Sequence, residues 1–283
     1  MSAKHAMHLD EIGALAERYR VFLLDQFGVL HDGQQPYPGA VEALSALKRA
    51  GKTVALISNS GKRAEPNEQR LLRLGFEAGS WDHFVSSGEV AWRLFRDMAR
   101  EGTLRAGTRC LLISRDDDRS AIEDLPLTLT ERGDDAELVL ITASEGDRYD
   151  LDHYRGLLGP AVARKVPCFC TNPDRIMLTA IGPRFGAGKI ADVYEHLGGS
   201  VTRIGKPYPA IYHAALSLAG NPTRGDVICV GDSVEHDIAG GNAAGVATAL
   251  VLSGILADSG DLAGLFQELG AWPDYTLDAF RWR

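Results

Sequence analysis

The stretch Val21-Phe22-Leu23-Leu24-Asp25-Gln26-Phe27-Gly28-Val29-Leu30 decides the fold. Its first four residues are apolar without alternation, the texture of a strand buried on both faces of a parallel sheet. Asp25 then offers a carboxylate at the strand end, beside a glycine turn. A carboxylate so placed can attack phosphorus, ligate a hard cation, or simply cap the turn.

The same texture recurs outward along the chain. Val54–Ile57, Cys110–Ile113, Leu138–Ile141, Val227–Val230 and Val246–Leu252 are further apolar runs. Helical patterns lie between them. Ala40, Val41, Leu44 and Leu47 recur at helix spacing between Pro38-Gly39 and Gly51, and Ile190, Val193, Tyr194 and Leu197 do so before Gly198-Gly199. Alternation of strands and helices predicts an α/β fold with Rossmann-like parallel sheets. Three polar motifs directly follow strands: Asp25, Ser58-Asn59 and Gly231-Asp232. Ligands of open α/β sheets bind at the carboxyl ends of strands, so these distant segments can converge on one site. The chain between the second and third motifs has strands and helices of its own and is too long for a loop. The expected organisation is a core of residues 1–87 and 202–283 with an inserted α/β cap domain over 88–201.

Bulk properties narrow the class of function. The 283 residues are 45% hydrophobic and 24% charged, enough for a large core, and the net charge is −8. No Lys/Arg stripe is present, which argues against nucleic acid as a partner. No apolar run is long enough to span a bilayer, and residues 1–10 have no apolar signal core. A cytoplasmic location is expected, with no membrane partner. Cys110, Cys168, Cys170 and Cys229 form no C-x-x-C pair, and Cys168-Phe169-Cys170 is a poor zinc clamp, so buried reduced thiols are expected. Asp116-Asp117-Asp118 reads as a solvated acidic loop. A homodimer is left open.

Ser58-Asn59-Ser60-Gly61 sets small hydroxyl and amide side chains in a turn of exposed backbone N–H groups, which suits phosphate oxygens but also marks any strand-to-helix turn. Lys206, between Gly205 and Pro207, is placed to reach into a site or to lie on the surface. Gly231-Asp232-Ser233-Val234-Glu235-His236-Asp237 is more telling. Two aspartates in one turn make a carboxylate pair for Mg²⁺, which takes one or two carboxylates, with water and substrate phosphate completing its octahedron.

In order and spacing, Asp25, Ser58-Asn59, Lys206, Gly231-Asp232 and Asp237 resemble the four motifs of the haloacid dehalogenase (HAD) superfamily, from Val21 to about Gly254. The cap between the second and third motifs resembles the class IIA branch of sugar-phosphate, nucleotide and pyridoxal phosphatases. Gly28-Val29-Leu30-His31-Asp32-Gly33, Thr171-Asn172-Pro173-Asp174 and Gly205-Lys206-Pro207 strengthen that likeness. The resemblance implies a Mg²⁺-dependent hydrolase of a phosphorylated small metabolite. Asp25 would be the nucleophile that becomes an aspartyl-phosphate. Ser58 and Asn59 would hold the phosphoryl group, and Lys206 would neutralise nucleophile and phosphate. Asp25, Asp232 and the backbone carbonyl of Phe27 would ligate the metal, with Asp237 supporting the metal shell or orienting Lys206. Asn172 and Asp174 of the cap would lie near the leaving group.

One position departs from the resemblance. The phosphatases of the superfamily carry a second Asp two residues after the nucleophile, which protonates the leaving oxygen; Phe27 stands there instead. General acid help is worth about 10²–10⁴-fold, so turnover is expected to be slow or confined to good leaving groups. His31 and His236 are candidate substitutes for the missing acid, against a solvent-facing loop histidine in each case. The departure keeps two alternatives open. One is a phosphate-and-Mg²⁺-binding module without turnover. The other is a hydrolase of carbon–halogen bonds, as in family members with an aromatic residue here, or of carbon–phosphorus bonds through a cap lysine such as Lys165 or Lys189.

Overall fold

The computed structural model describes residues 6–179, 182–254, 256 and 260–282. The chain divides into two compact units. One comprises the chain up to Ser58, Glu65–Val85 and the chain from Lys206 onward; the other comprises Asn59–Ala64 and Ser86–Gly205.

The first unit is built on a seven-stranded sheet. Its strands run, in spatial order, Met7–Leu9, Tyr275–Leu277, Ala247–Val251, Val227–Gly231, Val21–Leu24, Thr53–Ser58 and His83–Ser86. The ladder joining the first six is parallel throughout. Val21–Leu24 lies between Val227–Gly231 and Thr53–Ser58 and is buried on both faces, which explains its unbroken apolar texture. Helix Ala40–Arg49 starts after Gly39, whose φ of 86° is left-handed, and buries Ala40, Leu44 and Leu47. All three motif strands end on the same edge because parallel strands share a direction.

The second unit carries a five-stranded parallel sheet in the order Val201–Arg203, Cys168–Cys170, Leu138–Ile141, Thr108–Ile113, Leu127–Thr130. Alternate residues serve opposite faces. Leu111, Ile113, Val139, Ile141, Cys168 and Cys170 pack with helices Leu151–Ala163 and Ala187–His196. Cys110, Leu138 and Leu140 pack on the other side with Ala91 and Phe95 of helix Ser87–Arg100. An antiparallel hairpin, Ile176–Thr179 with Gly182–Phe185, completes the unit.

The expected cut at 201/202 falls inside strand Val201–Arg203, which pairs with Cys168–Cys170, so the second unit extends to Gly205. It also takes in Asn59–Ala64, Ser86 and Ser87. These shifts arise from pairing partners remote in sequence, which a local pattern does not reveal. All four cysteines are buried and free. Among the described residues no helix is long and apolar enough to cross a membrane.

Candidate active site

Asp25 is fixed at the end of its strand by its backbone N–H, which donates to the Val230 carbonyl at 2.9 Å. Gly231 ends the neighbouring strand, and the chain then winds into a wide π-type turn, Val234–Ile238, that carries Asp237. Such turns are uncommon and cluster at functional sites. Here Asp237 N–H and Ile238 N–H both donate to the Ser233 carbonyl, at 2.9 and 3.2 Å. The turn aims Asp237 back at the strand end. One carboxylate oxygen accepts from Ser233 N–H at 3.2 Å and the other from Lys206 Nζ at 2.7 Å.

Lys206 also donates to Asp25 at 2.7 Å. The ammonium, only 3% exposed, therefore bridges two carboxylates. Burial disfavours its charge, but Asp237 and Asp25 together outweigh burial and hold its pKa above the ordinary lysine value. Burial pushes the Asp25 carboxyl well up; Lys206 draws it down, and Asp237 and Asp232 push it up again.

The donor set fits a divalent cation. Asp25, Asp232 and Asp237 are all buried, and each offers an oxygen within 4.8 Å of the others. Three carboxylates face one ammonium, and such an excess of buried negative charge is unfavourable unless compensated. Hard oxygen ligands suit Mg²⁺ or Ca²⁺ rather than a softer ion. Asp237 has both carboxylate oxygens engaged, one by Lys206 and the other by Ser233 N–H.

Glycines make room for these carboxylates. A Cβ on Gly28, whose φ is +80°, would stand 1.8 Å from Asp232 Oδ2, and one on Gly254 would stand 2.0 Å from it. A Cβ on Gly231 would stand 2.0 Å from Asp237 Cγ. Gly254 is absent from the expected site residues. Its only signal is position, a glycine just beyond the end of strand Ala247–Val251.

Ser58 closes the next strand, 4% exposed, and its hydroxyl accepts from Gln26 Nε2 at 2.6 Å. Asn59, Asn172 and Asp174 form a group of their own in the second unit. Asn59 Nδ2 donates to Asp174 Oδ1 at 2.7 Å, and Asp174 N–H donates to Asn172 Oδ1 at 3.1 Å. The Asp174 carboxylate thus orients the Asn59 amide.

Phe27 is 43% exposed. Its ring meets the His31 ring edge-on at 4.5 Å and lies beneath the Arg70 guanidinium at 5.6 Å. His31 departs from the picture of a loop histidine facing solvent, because it is fully buried. Gly33 N–H donates to its Nδ1 at 3.0 Å, and its Nε2 lies 3.4 Å from Gln26 Oε1. Burial first, and then the Arg70 charge, lower its pKa to about 4. At neutral pH it is an uncharged imidazole with both nitrogens engaged, and so a poor substitute acid. His236 lies 3.1 Å through Nδ1 from Ser233 Oγ, and its carbonyl accepts from Tyr212 at 2.9 Å, which ties it into the turn. Of the cap lysines, Lys165 is exposed in a left-handed turn and Lys189 lies 4.0 Å from Asp192. In the acidic loop, Asp118 pairs with Lys62 at 3.0 Å.

The chain is similar to known proteins in both sequence and fold. The family profile described as haloacid dehalogenase-like hydrolase matches residues 22–128, and one described as HAD-hydrolase-like matches residues 203–281. Chronophin of Homo sapiens is 31% identical over 244 residues, covering 82% of this chain and 81% of its own. The p-nitrophenyl phosphatase from Archaeoglobus fulgidus superposes with a TM-score of 0.73 at 28% identity, covering 93% of this chain and 97% of its own. The glycerol phosphate phosphatase from Mycobacterium tuberculosis, solved in complex with calcium, has a TM-score of 0.66 at 27% identity, covering 85% and 68%.

Proposed function

The chain belongs to the haloacid dehalogenase-like hydrolases, among the phosphatases that carry a cap domain, and on that premise we propose that it hydrolyses a small phosphorylated metabolite with Mg²⁺ through an aspartyl-phosphate on Asp25. The observation that carries the reading is the buried ammonium of Lys206 held 2.7 Å from both Asp25 and Asp237. The ammonium aims the Asp25 carboxyl and opposes the burial and neighbouring carboxylates that favour its neutral form.

In the proposed reaction an Asp25 oxygen attacks phosphorus. The Oδ–P bond forms as the bond from phosphorus to the leaving oxygen breaks, and that oxygen departs with the electron pair. Lys206 neutralises the nucleophile before attack and the transferred phosphoryl oxygens afterwards. Ser58 and the Asn59 backbone hold the same oxygens. Water then attacks the phosphorus of the aspartyl-phosphate, releasing inorganic phosphate and restoring Asp25. Mg²⁺, when bound, would be held by Asp25, Asp232 and the Phe27 carbonyl with Asp237 supporting, and would supply the positive charge that phosphoryl transfer draws on. The second unit is taken as the specificity cap, with Asn172 and Asp174 near the leaving group. The names of the Mycobacterium and Archaeoglobus proteins support phosphate monoesters as the substrate class. Four buried thiols are in keeping with a reducing cytoplasm.

The test combines rates with trapping. Wild type should hydrolyse p-nitrophenyl phosphate only when Mg²⁺ is present. Beryllium fluoride with Mg²⁺ should appear in crystals bonded to Asp25. Phosphate binding without any turnover would identify the module that binds and does not cleave. Fluoride density on another residue would remove Asp25 from the role.

A further inference from the structure

The residue after the nucleophile is polar, yet it is fully buried. The Gln26 side chain lies between two partners, with Nε2 2.6 Å from Ser58 Oγ and Oε1 3.4 Å from His31 Nε2. The polarity of this chain is determined by its far end. A backbone N–H can only donate, so the contact from Gly33 N–H, at 3.0 Å, makes His31 Nδ1 an acceptor. The proton of the neutral imidazole is then on Nε2. That proton needs an oxygen opposite it, which turns Gln26 Oε1 toward His31 and the Gln26 NH₂ toward Ser58. The NH₂ donates into the Ser58 oxygen, so the Ser58 hydroxyl must direct its own proton elsewhere, to an acceptor. The link between His31 and Gln26 is the longest of the series, but the backbone holds the two together. His31 N–H donates to the Gln26 carbonyl at 3.1 Å, and Gly28 N–H donates to the His31 carbonyl at 3.1 Å.

Building on the phosphoryl site proposed above, we infer that Gln26 is a positioning residue that makes Ser58 an obligate hydrogen-bond donor to the substrate phosphoryl group, with His31 holding Gln26 in that orientation. A phosphoryl dianion presents only acceptors, and charge-assisted bonds to it are the strong ones. A serine hydroxyl otherwise rotates among staggered positions, and in some of them its lone pairs would face the anion. Gln26 fills one lone pair before substrate arrives and excludes the orientation in which the proton points back at position 26. A glutamate at position 26 would do the reverse, because its carboxylate would accept the Ser58 proton.

Inorganic phosphate binding, measured by calorimetry in saturating Mg²⁺, tests this without relying on turnover. Gln26→Met, similar in length but without the donor, should weaken binding roughly tenfold, and Gln26→Glu should weaken it more. In a Ser58→Ala background the Gln26→Met change should shift affinity by less than about twofold, because the group it acts through is gone. Equal losses in both backgrounds would mean that Gln26 acts through the fold, and would overturn the inference. Absence of phosphate binding by wild type would overturn the phosphoryl reading of the site, and this inference with it. Nitrogen-15 NMR of the wild-type His31 ring gives a check that needs no variant to fold. The proton should be on Nε2 at pH 7; a proton on Nδ1, or on both nitrogens, would overturn the polarity on which the inference rests.

Discussion

Phe27→Asp restores a carboxyl where the resemblance expects a general acid, and the structure sets the size of the effect. The wild-type ring is 43% exposed, so little apolar burial is lost. The contacts given up are the edge to His31 and the cation–π contact with Arg70, together about 1–2 kcal/mol. Stability should therefore survive the change, and thermal melting measures whether it does. Arg70 governs the gain in rate. Its guanidinium is 5.6 Å from the ring centroid, and among the described residues it meets no carboxylate. At that distance, in a medium of effective dielectric about 20, it would favour the ionised form of a new aspartate by about 3 kcal/mol. An acid held ionised is a weaker catalyst, so the gain on alkyl phosphates should be about tenfold, below the ~10²–10⁴-fold of a well-tuned acid. Adding Arg70→Met should enlarge it. The assay is kcat/KM over a series of aryl and alkyl phosphates plotted against leaving-group pKa. Wild type should fall steeply along the series, since its departing oxygen receives no proton, and Phe27→Asp should flatten the line. A flat wild-type line would refute the reasoning, because another group would then be supplying the proton.

Two further outcomes follow from the site. Asp232→Asn removes one anionic oxygen from the carboxylate cluster and should weaken Mg²⁺ binding at least tenfold, about 1.4 kcal/mol or more, while the melting temperature without metal holds; an unchanged calorimetric titration would move the metal elsewhere. His31, with a folded-state pKa of about 4 against an ordinary value near 6.5, takes up its proton more readily when unfolded, so it lowers stability as pH falls from 6.5 toward 4, by up to about 3 kcal/mol, and is neutral in effect above pH 7. Urea unfolding at pH 7.5 and pH 5 should show this loss in wild type and a smaller one in His31→Gln; equal losses in both would exclude His31 as the source.

Much of this protein is legible one segment at a time. An apolar run ending in Asp25, a second ending in Ser58 and a third ending in Gly231-Asp232 are local patterns, and parallel pairing brings such strand ends to one edge wherever the sheet is assembled. The helix over Ala40, Leu44 and Leu47 is legible for the same reason, since its period and its glycine brackets lie within one window. What depends on neighbours remote in the chain is not legible. Cys168-Phe169-Cys170 holds the buried free thiols expected of it, but that it is a strand is decided by its partners, Leu138–Ile141 and Val201–Arg203. Gly254 matters only because Asp232 comes to rest against it, 22 residues later in the chain than the carboxylate it accommodates. His31 has an ordinary loop sequence around it, yet it is fully buried, meets Gln26 and Gly33 through its two ring nitrogens, and has its pKa lowered by burial and the Arg70 charge. The sequence by itself determined which chemical groups stand at strand ends, because strand texture and turn residues are short-range properties. Tertiary structure alone decided which of those groups are buried, which way each proton points and which carboxylate meets the lysine, because desolvation and hydrogen-bond polarity depend on everything packed around a group.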